Sequence, residues 1–175
     1  MQVPGVDFID TFSPTGKFPT FLLLLILGLD NDLPIRKFDV KSAFLFAPLN
    51  ENIYIKTPLG SERTTSFLKL KKSLYGLQQA PMNWFNTLTS WLKEIKYNQS
   101  ESDPCLFIKE SRDSFLFFHV DDLIVVGKVI EFERDFLSKF PNSSAHKPDT
   151  ILGMNLVKHN DFITLQQPKL IEKGL

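Results

Sequence analysis

Cysteine is almost absent from this chain: Cys105 stands alone among 175 residues. That excludes an internal disulfide and a cysteine-based zinc site, and it suits a reducing compartment. The residue lies in the apolar run Cys105-Leu106-Phe107-Ile108, which predicts a packed thiol. Net charge is missing too, with 20 Lys and Arg against 20 Asp and Glu, so overall charge announces no polyanionic partner. Long hydrophobic runs are also lacking. The best candidate, Phe21–Leu27, extends at most from Phe18 to Leu29, short of the roughly 20 residues that a membrane span needs. It has no basic leader and no small-residue cleavage site. A core helix is expected there, and no membrane partner. His119, His146 and His159 show no ligand spacing, which argues against zinc. Neither an internal repeat nor a low-complexity tract is present. What remains has the composition of a globular protein, 43% hydrophobic and 23% charged, long enough for one core with at most a small appendage.

Distribution says more than the totals. From Arg36 to Lys72 there are 8 basic and 3 acidic residues, so this segment carries +5 and the rest of the chain −5. The chain is organised around Phe115-Leu116-Phe117-Phe118-His119-Val120-Asp121-Asp122-Leu123-Ile124-Val125-Val126-Gly127. Apolar residues flank an acid pair on both sides, which predicts two short buried strands with adjacent carboxylates at or beside the turn. Buried carboxylates are costly unless compensated. Either the pair tips into water, as a solvated turn, or a cation sits against it. Asp-Asp is a poorer two-residue turn than Asn-Gly or Asp-Gly.

Taken in order, residues 1–17 are polar and turn-rich and form no convincing element. Pro19 starts an apolar helix that ends near Asp30-Asn31-Asp32; apolar all round, it should be largely buried or shielded. A strand at Ile35–Val40 delivers Asp39 between Phe38 and Val40. Ile53–Lys56 and Phe67–Lys71 alternate and should form a hairpin with one basic side, bearing Lys69, Lys71 and Lys72. Pro81 to about Tyr97 reads as a helix with Trp84, Leu88, Trp91 and Ile95 on its core stripe. Strands follow at Leu106–Ile108 and Phe115–Val120. Phe132, Phe136 and Phe140 recur every four residues, the apolar face of a helix on a sheet. Residues 141–149 read as a polar loop, Ile151–Val157 and Phe162–Leu165 as a closing hairpin, and Pro168 as a last helix start.

Three carboxylates therefore interrupt apolar runs: Asp39, Asp121 and Asp122. Asp39 and Asp121 are 82 positions apart, so only the fold can join them. If it does, like charges converge and a divalent cation is the natural third party. An all-oxygen site favours magnesium or manganese, with substrate phosphates completing the shell. The corresponding chemistry is two-metal phosphoryl transfer, and the basic hairpin suits phosphates. On chemistry alone polymerase, nuclease and nucleotidyl cyclase stay open.

Three segments carry a resemblance. Phe38-Asp39-Val40-Lys41-Ser42-Ala43-Phe44-Leu45, Ser73-Leu74-Tyr75-Gly76-Leu77-Gln78-Gln79-Ala80-Pro81-Met82-Asn83-Trp84 and His119-Val120-Asp121-Asp122 resemble successive motifs of the reverse transcriptase of Ty1/copia-type LTR retrotransposons. Thr11-Phe12-Ser13-Pro14, Ser102-Asp103-Pro104-Cys105 and Leu152-Gly153-Met154 match spacer landmarks of that family, from about Gly5 to the C-terminus. The resemblance implies an α+β fold: a reverse-transcriptase-like polymerase palm, its twisted, mainly antiparallel sheet backed by helices, with partial fingers. The implied domain occupies 1–175, with partial fingers and the first palm motif at about 18–80, palm at 81–165 and the start of a truncated thumb at 166–175. It implies RNA-directed DNA polymerase activity, adding dNTPs to a primer on an RNA or DNA template. The runner-up is an inactive retrotransposon remnant that at most binds nucleic acid. A nucleotidyl cyclase, having no use for the Ser73–Trp84 segment, comes last.

Carried over by position, Asp39 and Asp121 resemble the metal-binding aspartates, with the Val40 carbonyl a further ligand of Mg2+ (or Mn2+). Asp122 resembles the second acid of the paired motif, of lesser or indirect weight. Phe44 matches the bulky residue that crowds the 2′-hydroxyl of an incoming ribonucleotide. Tyr75, Gly76 and Gln79 match the segment under the nascent base pair. His119 stands where the family usually has tyrosine, near the primer end and on the strand parity of Asp121. The resemblance also implies upstream fingers strands, most of a thumb, and ribonuclease H, integrase and protease parts of a polyprotein, all lying outside this chain. The expected location is cytoplasmic, in virus-like particles.

Overall fold

The computed structural model describes residues 2–9 and 11–174, Lys169 by its backbone only. The expected domain span therefore includes three residues, Met1, Asp10 and Leu175, that lie outside the described residues. In chain order the elements are α1 (Phe18–Asp30), β1 (Ile35–Val40), a 3-10 turn (Ala43–Phe46), β2 (Tyr54–Lys56), β3 (Phe67–Lys69), α2 (Ala80–Glu94), β4 (Tyr97–Gln99), β5 (Leu106–Lys109), β6 (Ser114–His119), β7 (Asp122–Gly127), α3 (Val129–Lys139), β8 (Ser143–His146), β9 (Thr150–Ile151), β10 (Met154–Lys158), β11 (Ile163–Gln166) and α4 (Pro168–Gly174). They divide into two compact units, Met1–Pro14 with Ser42–Trp91, and Thr15–Lys41 with Leu92–Leu175. No helix among the described residues is long and apolar enough to cross a membrane.

The second unit is built on a six-stranded sheet in the order β4-β5-β6-β7-β1-β8, every pairing antiparallel. Alternation puts Phe38 and Val40 on one face, both buried, where Phe38 meets the rings of Phe132 and Phe136 edge-on at 5.0 and 5.3 Å. Each such ring removes about 1.5–3 kcal/mol worth of apolar surface from water, and edge-to-face contact adds about 0.5–1.5 kcal/mol. Phe140 completes the row at 5.2 Å from Phe136. Arg36–Glu133 and Lys109–Glu131 ion pairs tie α3 to the strands beneath it. The opposite face is covered by α1 and by the three-stranded sheet β11-β10-β9, through Phe21, Leu24 and Leu25 with Ile124, Val126, Ile151, Met154 and Leu156. The twisted antiparallel sheet backed by helices is thus the fold that was expected.

Four local readings change. Helix α1 buries one face only: Phe21, Leu24, Leu25 and Gly28 are inside, while Leu23 and Ile26 are exposed. Helix α2 stops at Glu94 rather than at Tyr97, because Lys96 turns the backbone left-handed at φ +67. Tyr97 then enters β4, where its hydroxyl donates to Ser114 Oγ at 2.7 Å. The polar stretch 141–149 contains the edge strand β8, which takes up the free backbone edge of β1. The run Ile151–Val157 is broken by Leu152 and Gly153, both at positive φ, so it forms β9 and β10 rather than one strand.

In the first unit β2 and β3 pair as the expected hairpin. Trp84 and Leu88 of α2 are buried.

Candidate active site

The acid pair does not occupy its turn symmetrically. Strand β6 ends at His119 and β7 begins at Asp122, so the two turn residues are Val120 and Asp121. Val120 takes φ +58, a conformation unfavourable for a β-branched side chain and of the kind that concentrates at functional sites. Parity does not run through such a turn. His119 lies opposite Asp122, so it shares a face with Asp122 and not, as strand alternation alone suggests, with Asp121.

Register then assembles the site. Asp39 lies opposite Asp122 across β1 and β7 and opposite Ser144 across β1 and β8. Residues opposite one another share a sheet face, so His119, Asp122, Asp39 and Ser144 form one row across four strands. Asp121 follows at the tip of the hairpin. Asp39 and Asp121, though 82 positions apart, come close enough that Asp39 raises the Asp121 pKa. Three causes act on Asp121, in descending order: partial burial of its carboxyl, the Asp39 charge and the Asp122 charge. The residue as a whole is exposed, so burial here means protein packed against one side of the carboxyl.

The three acids are not equivalent. Lys37, two residues before Asp39 and on the same face, places Nζ 2.7 Å from Asp122 Oδ1 and donates to the Thr150 carbonyl at 2.9 Å. Asp122 Oδ2 accepts a long bond, 3.4 Å, from the Leu152 amide. Asp122 is compensated. No hydrogen bond or ion pair among the described residues engages the carboxylates of Asp39 or Asp121. Lys37 escaped the sequence reading, which counted it only as one more basic residue. Its i−2 spacing from Asp39 on a strand is the signal that finds it. The Leu152-Gly153-Met154 landmark likewise gains a physical role, presenting an amide to Asp122.

His119 is held from behind. Its Nδ1 is 3.3 Å from the Gly16 carbonyl. A Cβ at residue 16 would overlap the Phe117 ring and approach the Phe118 carbonyl oxygen to 2.8 Å, so only glycine fits. Asp103, fully buried, fixes this segment by accepting from the Lys17 and Cys105 amides, each at 2.9 Å.

The remaining sequence-selected residues, Val40 apart, belong to the first unit. Phe44 is half-buried and stacks on Tyr75, centroids 6.1 Å apart at 27°; the Tyr75 ring is otherwise exposed. Gly76 adopts φ +97 with open space around it. Gln79 is buried: its Oε1 accepts from Gln2 and its Nε2 donates to the Asp7 carbonyl, both at 2.9 Å. Lys69, Lys71 and Lys72 are exposed, and Lys72 Nζ reaches the Phe46 carbonyl at 3.3 Å. Val40 ends β1, its side chain turned into the core.

Comparison with known proteins decides the family. The family model described as reverse transcriptase (RNA-dependent DNA polymerase) matches residues 1–175. The chain belongs to the reverse transcriptase family. The retrovirus-related Pol polyprotein from transposon TNT 1-94 of Nicotiana tabacum is 36% identical over 99% of this chain. The corresponding polyprotein from transposon RE1 of Arabidopsis thaliana is 37% identical over 72%, and the transposon Ty1-GR3 Gag-Pol polyprotein of Saccharomyces cerevisiae 35% over 66%. The chain spans 14%, 9% and 6% of their respective lengths. By family it is an enzyme domain of the nucleotidyl-transferring class, of Ty1/copia retrotransposon type.

Such enzymes use divalent metal. Among the described residues no group of three or more His, Cys, Asp and Glu side chains is arranged to hold an ion. The two uncompensated carboxylates, with Asp121 shifted by its neighbours' charges, nonetheless fit a hard cation that takes few protein ligands and completes its shell with water and phosphate.

Proposed function

We propose that this chain is the palm-bearing part of an RNA-directed DNA polymerase that extends a primer with dNTPs on an RNA or DNA template. The observation that carries the reading is the asymmetry of the acids: Asp39 and Asp121 are left uncompensated and within electrostatic reach of each other, while Lys37 neutralises Asp122. Asp39 and Asp121, with the Val40 carbonyl, would hold Mg2+ or Mn2+. When bound, such ions would help activate the primer 3′-hydroxyl and neutralise charge on the leaving pyrophosphate. Asp122 acts indirectly, locked by Lys37 and Leu152 so that the turn presents Asp121. His119 stands in one row with Asp122 and Asp39 and positions the primer end. By family position Phe44 rejects the ribonucleotide 2′-hydroxyl, Tyr75, Gly76 and Gln79 support the nascent pair, and Lys69, Lys71 and Lys72 meet backbone phosphates. The unit containing β1, β6 and β7 corresponds to palm, residues 18–80 include partial fingers, and 166–175 begin the thumb. Polyprotein neighbours and virus-like particles in the cytoplasm complete the setting.

Primer extension with magnesium tests this, on the chain alone and joined to the flanking polyprotein segments that its relatives possess, each beside its Asp39→Asn and Asp121→Asn variants. Extension in the wild type that falls to background in both variants supports the assignment. Extension undiminished without the Asp121 carboxylate overturns it. Silence in both folded wild-type proteins favours the second reading, a remnant without turnover.

A further inference from the structure

Within the first unit, the loop between the buried residues Ser73 and Gln79 carries Tyr75 and Gly76, and little holds it from within. Residues 74–78 close one backbone bond of their own, from the Leu77 amide to the Leu74 carbonyl at 3.2 Å. Gly76 stands at φ +97 with open space around it, a hinge that glycine adopts freely. The neighbouring Tyr75 is 93% exposed, and its ring meets only that of Phe44. A single ring pair at the surface is a weak restraint on a hinged loop.

What fastens the loop comes from residues 2–7, which have no part in the polymerase reading. Gln2 Oε1 accepts from the Gln78 amide and Gln2 Nε2 donates to Gln79 Oε1, both at 2.9 Å. Gln79 Nε2 in turn donates to the Asp7 carbonyl at 2.9 Å. The segment is itself closed: the Val3 amide donates to Asp7 Oδ2 at 2.6 Å, and the Asp7 amide to the Val3 carbonyl at 2.9 Å. Gln79 is only 1% exposed, so without these partners it would carry the cost of a buried, unsatisfied carboxamide. Beyond Gln2, Asp7, Phe44 and the start of α2, no hydrogen bond, ion pair or ring contact reaches residues 74–79 among the described residues.

We propose that Gln2 is a positioning residue: through Gln78 and Gln79 it latches the loop so that Tyr75 backs the Phe44 ring, and it thereby sets how strictly a nucleotide 2′-hydroxyl is excluded. The last step rests on the polymerase reading, which assigns that exclusion to Phe44; the latch itself does not. A latch shifts the loop by no more than the free energy of its own bonds. Gln2→Ala removes two, at about 0.5–1.5 kcal/mol each, a change of about five- to 150-fold.

Hydrogen–deuterium exchange of the full chain, without metal or nucleotide, tests the latch. Amides of residues 75–79 should exchange faster in Gln2→Ala by up to that factor, with the six-stranded sheet unchanged. Gln2→Glu keeps the acceptor for Gln78 and loses the donor to Gln79, so it should fall between; it also carries both arms if Gln2→Ala does not fold. Primer extension then tests selectivity, on the chain alone or joined to its flanking segments, whichever extends with dNTPs. The ratio of kcat/KM for a dNTP to that for the matching rNTP should fall in Gln2→Ala, by no more than the same factor. In Phe44→Ala, where the excluding ring is gone, Gln2→Ala should change the ratio no further, a coupling that a merely structural role would not produce. Unchanged exchange at residues 75–79 would overturn the proposal. So would faster exchange with an unchanged ratio, or effects of Gln2→Ala and Phe44→Ala that add in full. Absence of dNTP extension in both wild-type forms overturns the polymerase reading instead, and the selectivity step with it, while exchange still decides the latch.

Discussion

Replacing Lys37 with methionine keeps most of the side chain's length and removes its charge, which isolates the electrostatic part of the site. Lys37 Nζ lies 2.7 Å from Asp122 Oδ1, with the two side chains only 16% and 28% exposed. A charged hydrogen bond of this kind contributes about 1.5–3 kcal/mol. Its loss also releases Asp122 to repel Asp39, its opposite neighbour. At about 5 Å and an effective dielectric of about 20, two carboxylates repel by roughly 3 kcal/mol before solvent screening. Asp39 is exposed, so screening removes most of that term. The expected net cost in EDTA is about 2 kcal/mol, a fall in Tm of about 4–8 °C for a chain of this size. Magnesium should reverse the order of effects. The variant carries one more uncompensated negative charge, so millimolar magnesium should raise its Tm by more than that of the wild type, while Lys37→Arg should behave as wild type in both buffers. Circular-dichroism melts with EDTA and with magnesium measure all of this. An unchanged Tm in EDTA, or equal magnesium gains in variant and wild type, would refute the reasoning.

Asp121 has its pKa raised in the folded state, so its protonated form is favoured by folding. Its contribution to stability is complete below the unfolded value of 3.8 and is lost as pH rises through the higher folded value. Asp121→Asn should therefore melt higher than wild type at neutral pH without metal, the difference closing as the buffer is acidified toward that range; a constant difference across the titration counts against the shift. Gly16→Ala must displace the Phe117 ring and should cost about 1–3 kcal/mol, the usual range for overpacking, checked by urea unfolding with an unchanged m-value. Phe136→Ala removes a fully buried ring from the α3 face and should cost about 3–5 kcal/mol, read from the same unfolding curves. Cys105 is fully buried and its thiol is pushed up to about 12 by burial first and the Asp103 charge second. It should resist alkylation at mildly alkaline pH until denaturant is added, and rapid labelling of the native chain would contradict its burial.

Runs of apolar residues determined the parts of this protein that were legible from the chain alone. The strands bearing Asp39 and the acid pair, the amphipathic stripe of Phe132 and Phe136, and the lysine-bearing hairpin each declare themselves through a local period of two or four, set by backbone geometry alone. The carboxylates were visible for the same reason, as interruptions in those runs. Elements whose stability comes from a neighbour were not legible. Ser143-Ser144-Ala145-His146 has no apolar alternation and becomes β8 only because β1 offers it an unpaired edge. Tyr97 leaves the helical pattern because β5 and Ser114 hold it in a strand. The chemistry of the site depended most on what is distant in the chain. The acid pair looks symmetric in sequence, yet a turn at Val120 and Asp121 sends one acid to the tip and the other into the β1 register. Lys37 then neutralises the second and spares the first. Ion pairing depends on separation in space to within an ångström or two, and that separation is settled by strand register, which exists only once the sheet has formed.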